Sequence, residues 1–271
     1  MSNADKLNGT NIIDLFLFMG QSNMAGRGIT SDRWPNPAPA LIPGVGFEFR
    51  AISAPDRLFP IVEPFGVNEN NPAGINDIFS DGANAKTGSM VTAFCNAYYT
   101  KTSTPIVGIS ASKGGSRISQ WQPDAADGFL KDTINRYNSA VSYLLNNNYT
   151  IRHRYMLWCQ GESDGDVSTP PSLYKDQFLT LWHAMQSIGI EKCFLIKTGL
   201  KNVPGHEASY EPIRNAQEEL CQNDDIIMVS RSLGEMLERG LMKDAFHYYQ
   251  QAYNECGDEA GERVGEWVIL L

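Results

Sequence analysis

Ser22 is the residue of this chain that is best placed to act as a nucleophile. It follows an apolar run at residues 12–19, and Gly20 permits a sharp turn between that run and the serine. A hydroxyl just beyond a buried strand points into the crevice where α/β sheets bind ligands. The segment lacks the second glycine of a G-x-S-x-G elbow. Taken alone, it is also compatible with a serine that caps a helix.

Asp244 and His247 supply a base and an orienting carboxylate. A serine hydroxyl is a weak nucleophile until a base accepts its proton, and the base needs a carboxylate to fix its tautomer. Asp244 and His247 are three residues apart and can meet on one turn. The other histidines, His153, His183 and His206, have no carboxylate so placed. The spacing therefore indicates His247 as the base.

A third motif, at residues 112–116, contains the paired glycines Gly114 and Gly115 and follows another apolar run. Glycines let backbone N–H groups approach a ligand closely, as an oxyanion requires, although a plain turn explains the same residues.

A fourth motif, at residues 158–164, contains Gln160 and Glu162 and also follows an apolar run. Three polar, glycine-containing loops are therefore expected at one crevice. The acids Glu162, Asp164 and Asp166 suggest a calcium loop as an alternative, but their spacing fits no metal motif, and we predict neither a metal nor a cofactor.

Short apolar runs alternate with amphipathic stretches, which predicts a parallel α/β sheet. The strand candidates are residues 12–19, 105–110, 151–159, 192–198 and 226–230. Helices are predicted at 129–145, 173–188, 211–221 and from about 247 towards 267.

The region from Arg27 to Lys86 breaks this pattern, because it holds eight of the fourteen prolines and shows little periodicity. We expect a substrate-facing loop insertion around residues 27–87, with one or two short strands near 45–53. Residues 11–271 are predicted to form a single domain. Residues 1–10 are predicted to be a tail that begins with a remnant of an expression tag.

Composition excludes several classes of partner. The net charge is −9 and the 22 Lys and Arg residues are scattered, so no nucleic-acid partner is expected. No apolar stretch approaches the roughly 20 residues of a membrane span, so no membrane partner is expected either. The five cysteines form no CxxC pair and are expected to be buried hydrophobes. Free thiols favour a cytoplasmic location, with secretion as the alternative if a signal peptide was removed. The oligomeric state stays open.

Taken together, the four motifs resemble the SGNH-hydrolase superfamily. Within it they are similar to sialate O-acetylesterase domains and to the acetylxylan esterases of carbohydrate esterase family six. Gly-Gln-Ser-Asn-Met, Gly-Gly-Ser with a downstream Trp121, Gln-Gly-Glu-Ser-Asp and Asp-x-x-His occur in the family's order across nearly the whole chain. The resemblance implies a three-layer α/β/α sandwich with a flavodoxin-like parallel sheet of about five strands.

The resemblance also implies roles for individual residues. Ser22, His247 and Asp244 would form a catalytic triad. The oxyanion donors would be the backbone N–H groups of Ser22 and Gly115 and the side-chain amide of Gln160. The remaining motif residues would bind substrate or support the site, namely Gln21, Asn23, Gly114, Trp121 and Glu162.

The function expected from these motifs is hydrolysis of O-acetyl groups on a sugar or oligosaccharide through an acyl-serine intermediate. Trp34, Trp121 and Tyr248 are candidates for stacking on sugar rings. Triad chemistry does not identify the alcohol, so an esterase or thioesterase for other esters is an alternative. A non-catalytic carbohydrate-binding protein is another alternative.

Overall fold

The computed structural model describes residues 10–271, which form one sheet covered by helices on both faces. All of the predicted tail except Thr10 lies outside the described residues. None of the described helices is long and apolar enough to cross a membrane. The five cysteines are free, and four of them are buried.

The sheet has seven strands in the order β3-β2-β4-β1-β5-β6-β7. The strands are β1 (Ile12–Gly20), β2 (Gly46–Phe49), β3 (Leu58–Pro60), β4 (Ile106–Ser112), β5 (Thr150–Cys159), β6 (Lys192–Ile196) and β7 (Ile226–Ser230). Neighbouring strands are parallel except β2 and β3. The five strands β4-β1-β5-β6-β7 have the flavodoxin-like order, which confirms the predicted fold class.

The predicted count of about five strands is too low, because the insertion adds two strands at one edge of the sheet. β2 lies inside the segment 45–53 where short strands are expected, but β3 lies beyond it. Both strands are very short and surrounded by prolines and glycines, so neither has the length that makes a strand visible in sequence.

The apolar run of β1 is continuous because both of its faces are buried. Leu15, Leu17 and Met19 join one hydrophobic core, whereas Phe16 and Phe18 join the other. Helices α3 (Phe129–Asn146), α5 (Pro171–Ser187) and α6 (Glu211–Leu220) pack in the first core, and α2 (Val91–Thr102) and α7 (Gln250–Val268) pack in the second. Two short helices, α1 (Ser22–Ala25) and α4 (Glu162–Asp166), follow β1 and β5 directly.

Helix α2 has no counterpart among the predicted helices, and it packs closely against α7. A Cβ at Gly257 would lie 2.3 Å from the carbonyl oxygen of Met90, and one at Gly261 would lie 2.4 Å from that of Phe94. These two glycines therefore set how near the helices come. Helix α7 begins at Gln250 rather than near His247, because residues 246–249 still belong to the loop that carries the histidine.

Candidate active site

Ser22 lies at the carboxyl end of β1, on a turn that requires glycine. Gly20 has φ +135°, and a Cβ there would lie 2.1 Å from the carbonyl oxygen of Cys159 on β5. The N–H of Gln21 donates to that same oxygen at 2.9 Å. The chain thus leaves the sheet abruptly, and Ser22, only 6% exposed, begins α1 at the edge of a pocket.

Ser22, His247 and Asp244 form a continuous chain of hydrogen bonds. The distance from His247 Nε2 to Ser22 Oγ is 2.9 Å, and that from His247 Nδ1 to Asp244 Oδ2 is also 2.9 Å. Asp244 Oδ1 accepts the backbone N–H groups of Phe246 and His247 at 3.0 and 2.8 Å. Partial burial opposes ionisation of Asp244, but these bonds outweigh it and hold the pKa of its carboxyl well below the usual range.

The three remaining histidines take no part in this chain of hydrogen bonds. His153 pairs with Glu191 at 2.9 Å, and neither His183 nor His206 lines the Ser22 pocket. Of the four histidines, only His247 has its ring next to a serine hydroxyl and a carboxylate.

The loop after β4 lies next to Ser22 at the pocket. Gly114 and Gly115 both line the pocket, and Gly115 has φ +70°, a left-handed conformation that favours glycine. The N–H of Gly115 makes no hydrogen bond to the described residues, whereas that of Gly114 donates to Asp77 Oδ1 at 2.9 Å. The N–H of Ser22 lies in the first turn of α1, where backbone donors have no partner within the helix.

The structure contradicts the prediction that the Gln160 amide faces an oxyanion. Its Nε2 donates to the carbonyl oxygen of Ser116 at 3.0 Å and to Asp164 Oδ2 at 2.6 Å, and both of its hydrogens are therefore used. The side chain is fully buried and does not line the pocket. Gln160 ties the loop after β4 to the loop after β5, which sequence position alone does not distinguish from a catalytic placement.

Gln21 does line the pocket, and its amide is oriented by the loop after β5. Gln21 Oε1 accepts the N–H groups of Gly161 and Ser163 at 3.2 and 3.4 Å. Its Nε2 makes no hydrogen bond to the described residues. The Gln21 amide therefore has free donors in the pocket, which the Gln160 amide lacks.

Asn23 and Glu162 lie behind the triad and support it. Asn23 Nδ2 donates to Glu162 Oε1 at 2.5 Å and to the carbonyl oxygen of Phe246 at 3.1 Å, while its Oδ1 accepts the Tyr253 hydroxyl at 2.6 Å. Asn23 thereby joins the helix of Ser22 to the residue before His247. Burial raises the pKa of the Glu162 carboxyl, and its second oxygen has no hydrogen-bond partner.

Two of the three predicted stacking residues are inaccessible. Trp121 and Tyr248 are fully buried, and Trp121 Nε1 donates to Ser116 Oγ at 3.0 Å, which braces the loop after β4. Trp34 is half-buried, donates to the carbonyl oxygen of Gly240 at 3.0 Å and does not line the pocket. None of the three is placed to stack on a substrate bound at Ser22.

Several residues that line the pocket have no role assigned to them by the sequence motifs. Phe79 and Phe246 line the pocket with 55% and 36% of their surface exposed, and Arg27, Asp77 and Lys113 also line it. Phe246 lies within the Asp-x-x-His motif and Lys113 within the motif at residues 112–116, so the sequence could have indicated that both lie near the pocket. Asp77 and Phe79 have no signal in the sequence, because the fold of the insertion decides their position.

The pocket at Ser22 has a volume of about 320 Å³. A larger groove of about 650 Å³, lined mainly by apolar side chains of residues 38–62, shares no residue with it and contains none of the motif residues. We therefore place the chemistry in the smaller pocket. Among residues 10–271, no group of three or more His, Cys, Asp or Glu side chains is arranged to hold a metal ion.

The flavodoxin-like sheet order, with the Ser22, Gly114–Gly115 and Gln160–Glu162 loops at its carboxyl edge, is the arrangement that the resemblance to SGNH hydrolases implies. The family model described as "carbohydrate esterase, sialic acid-specific acetylesterase" matches residues 12–265, and the chain belongs to this family. It is thus a carboxylic ester hydrolase that removes O-acetyl groups from carbohydrates.

Three solved structures share the fold at low sequence identity. A protein from Arabidopsis thaliana is 21% identical with a TM-score of 0.64, and the match covers 94% of this chain and 98% of that one. A carbohydrate acetylesterase from Xanthomonas citri is 15% identical with a TM-score of 0.57, covering 93% and 55%. NanS is 14% identical with a TM-score of 0.57, covering 96% and 98%. No curated protein sequence matches the chain significantly.

Proposed function

We propose that Ser22, His247 and Asp244 are the catalytic triad of this esterase. The observation that carries the proposal is the unbroken chain of hydrogen bonds from Ser22 Oγ through the His247 ring to Asp244, at the edge of a pocket. A serine of this kind is activated by a base that a third group orients.

The reaction proceeds in two matching halves. Ser22 Oγ attacks the acetyl carbonyl carbon while His247 Nε2 accepts the hydroxyl proton, which gives a tetrahedral oxyanion. The intermediate collapses, the bond to the sugar oxygen breaks, and His247 returns the proton to that oxygen. Water then attacks the acetyl-serine with His247 again as base, which releases acetate and restores Ser22.

The oxyanion is stabilised by donors that have no partner among residues 10–271. We assign two of these positions to the N–H groups of Ser22 and Gly115, as the family resemblance implies. In place of Gln160, we assign the third donor to Gln21 Nε2, because Gln21 lines the pocket and its Oε1 is already held by the loop after β5. Donors fixed before reaction stabilise developing charge without reorganisation.

The charges of the pocket favour an acidic sugar as substrate. Arg27 is neutralised by Asp77 at 2.8 Å, and Asp166 by Lys201 at 2.7 Å. Glu162 also lines the pocket, but burial raises the pKa of its carboxyl and so disfavours the charged form. Lys113 forms no ion pair with any residue in the described range 10–271. Its ammonium donates one hydrogen bond, to the carbonyl oxygen of Gly114 at 3.1 Å, and has two further hydrogens with which to meet a substrate carboxylate. We propose O-acetylated sialic acid, which carries such a carboxylate, ahead of acetylated xylan.

Phe79 and Phe246 form the apolar part of the pocket rim. Both side chains are partly exposed and both line the Ser22 pocket. Sugar sites combine apolar or aromatic surface with a few placed polar groups. We assign to these two phenylalanines the contact with the sugar ring, in place of Trp34, Trp121 and Tyr248.

Acetate release from O-acetylated sialic acid, its carboxyl methyl ester and acetylated xylan tests the substrate. The acidic sugar is expected to have the highest kcat/KM, and Lys113→Gln is expected to lower that value while leaving the methyl ester unaffected. Equal loss on both substrates would remove Lys113 from carboxylate recognition. Preference for xylan would make the enzyme an acetylxylan esterase, and turnover of simple esters alone would favour the non-sugar alternative.

A further inference from the structure

The loop that carries the proposed oxyanion donor is braced by residues from the insertion. Lys113 N donates to the carbonyl oxygen of Gly20 at 2.9 Å, which fixes the start of the loop to the end of β1. Gly115 has open space around the position of a Cβ, so no side chain packs there. The N–H of Gly114 is bound by the carboxylate of Asp77 at 2.9 Å. Asp77 therefore holds the peptide next to the proposed donor.

Asp77 is itself fixed by Arg27, which follows the nucleophile's helix. Arg27 Nη2 donates to Asp77 Oδ1 and Oδ2 at 3.0 and 2.8 Å, and the two residues are 7% and 2% exposed. Asp77 N donates to Asn70 Oδ1 at 2.8 Å, which secures the backbone of the acid as well. Arg27 Nη1 donates to the carbonyl oxygen of Gly26 at 3.3 Å. One set of contacts thus joins the Ser22 side of the pocket to the glycine loop.

Gly114 packs tightly between this ion pair and Ser22. A Cβ at Gly114 would lie 2.4 Å from Arg27 Nη2, 2.9 Å from Asp77 Oδ1 and 3.5 Å from Ser22 Cβ. Such a close approach leaves the peptide little freedom to rotate. The direction of the following N–H, that of Gly115, depends on the same contacts.

We propose that the Arg27–Asp77 pair is a positioning device that aims the Gly115 N–H at the oxyanion. This inference rests on the proposed function, because it assumes that Gly115 donates in the transition state. In this proposal Arg27 also has an electrostatic role. The carboxylate of Asp77 lies near the developing negative charge and would repel it, and the guanidinium offsets that repulsion.

The proposal predicts how kcat changes in variants of Asp77 and Arg27. Asp77→Ala removes the acceptor of the Gly114 N–H and is expected to lower kcat about 10- to 100-fold with KM within about two-fold, since small misplacements of catalytic groups cost this much. Arg27→Gln leaves Asp77 without its ion-pair partner. The double variant Arg27→Gln/Asp77→Asn should therefore be more active than Arg27→Gln alone.

Each variant is measured per competent active site. Labelling with a reactive phosphonate counts the Ser22 hydroxyls that can react, which corrects kcat for misfolded protein. The inhibition constant of a small boronic acid, which forms a tetrahedral adduct with the serine, reports on the oxyanion site. For Asp77→Ala this constant should rise in parallel with the fall in kcat.

A second ion pair with a buried carboxylate supplies the control. Asp14 is fully buried and pairs with Arg152 at the opposite end of β1. Asp14→Ala should lower the melting temperature but leave kcat per labelled site unchanged.

The possible outcomes separate the two proposals. If Asp77→Ala loses stability while kcat per labelled site and boronate affinity stay at wild-type values, the pair is structural and the inference is wrong. A raised KM with unchanged kcat would assign Asp77 to substrate binding and also overturn it. If Asp77→Ala fails to fold, the Arg27→Gln and double variants decide by their relative kcat. Absence of phosphonate labelling at Ser22 in the wild type would instead refute the proposed triad.

Discussion

Replacement of Ser22 by alanine separates the chemistry of the site from its stability. The variant loses the nucleophile, and kcat is expected to fall by about 10⁴-fold or more. At about 1.36 kcal/mol for each factor of ten, this corresponds to roughly 5 kcal/mol of lost transition-state stabilisation. The backbone N–H groups of Ser22 and Gly115 remain, so the oxyanion site is not removed with the hydroxyl.

The effect of the same change on stability is small. Ser22 Oγ makes one hydrogen bond, to His247 Nε2 at 2.9 Å, and the imidazole stays bound to Asp244 after the hydroxyl is gone. Loss of one such bond costs about 0.5–1.5 kcal/mol. In a protein of this size, 1 kcal/mol shifts the melting temperature by about 2–4 °C. The variant should therefore melt within a few degrees of the wild type.

Acetate release from O-acetylated sialic acid and a thermal melt, both on purified protein, measure the two effects. Ser187→Ala serves as a control, because this exposed serine on α5 bonds only to the carbonyl oxygen of Ala184. The triad assignment is wrong if Ser22→Ala retains more than about 1% of wild-type kcat. It also loses its support if activity falls only in step with a large drop in melting temperature.

The remaining predictions concern the supporting groups. Asp244→Asn should lower kcat strongly but leave measurable turnover in acetate release, because it spares the geometry yet favours the wrong tautomer of His247; wild-type kcat would contradict this. Glu162 has a pKa raised by burial above its ordinary 4.5, so the stability that it contributes below that pH is lost as pH rises through its folded pKa. In thermal melts from pH 4 to 9, the melting temperature of Glu162→Gln should rise relative to that of the wild type as pH rises. A constant difference between the two melting temperatures across this range would refute the argument. Phe79→Ala should raise KM for the acetylated sugar more than Phe79→Leu does, with kcat little changed, and identical KM values would exclude a ring contact.

The sequence determined the elements with uniform local patterns. Strands β1, β4, β5, β6 and β7 are mainly apolar, and α3, α5 and α6 have clear helical spacing, so each is visible within a short window. The set Ser22, His247 and Asp244 could also be proposed from the sequence, because a glycine shortly before a serine and an aspartate three residues before a histidine are local signals. Helix α2 gave no such signal, since its residues are buried on several sides between β-strands and α7.

Tertiary structure alone decided which side chains face the pocket. Gln160 and Gln21 are both glutamines within the motifs. The Gln160 amide donates both of its hydrogens, to Ser116 and Asp164, whereas the Gln21 amide accepts a hydrogen bond through its oxygen and donates none to the described residues. Asp77 reaches Gly114 from 37 residues away because the insertion folds back over the carboxyl edge of the sheet. Local patterns carry the periodicity and turn chemistry of each element. The partner of a polar side chain depends on contacts between distant segments, which no window of sequence contains.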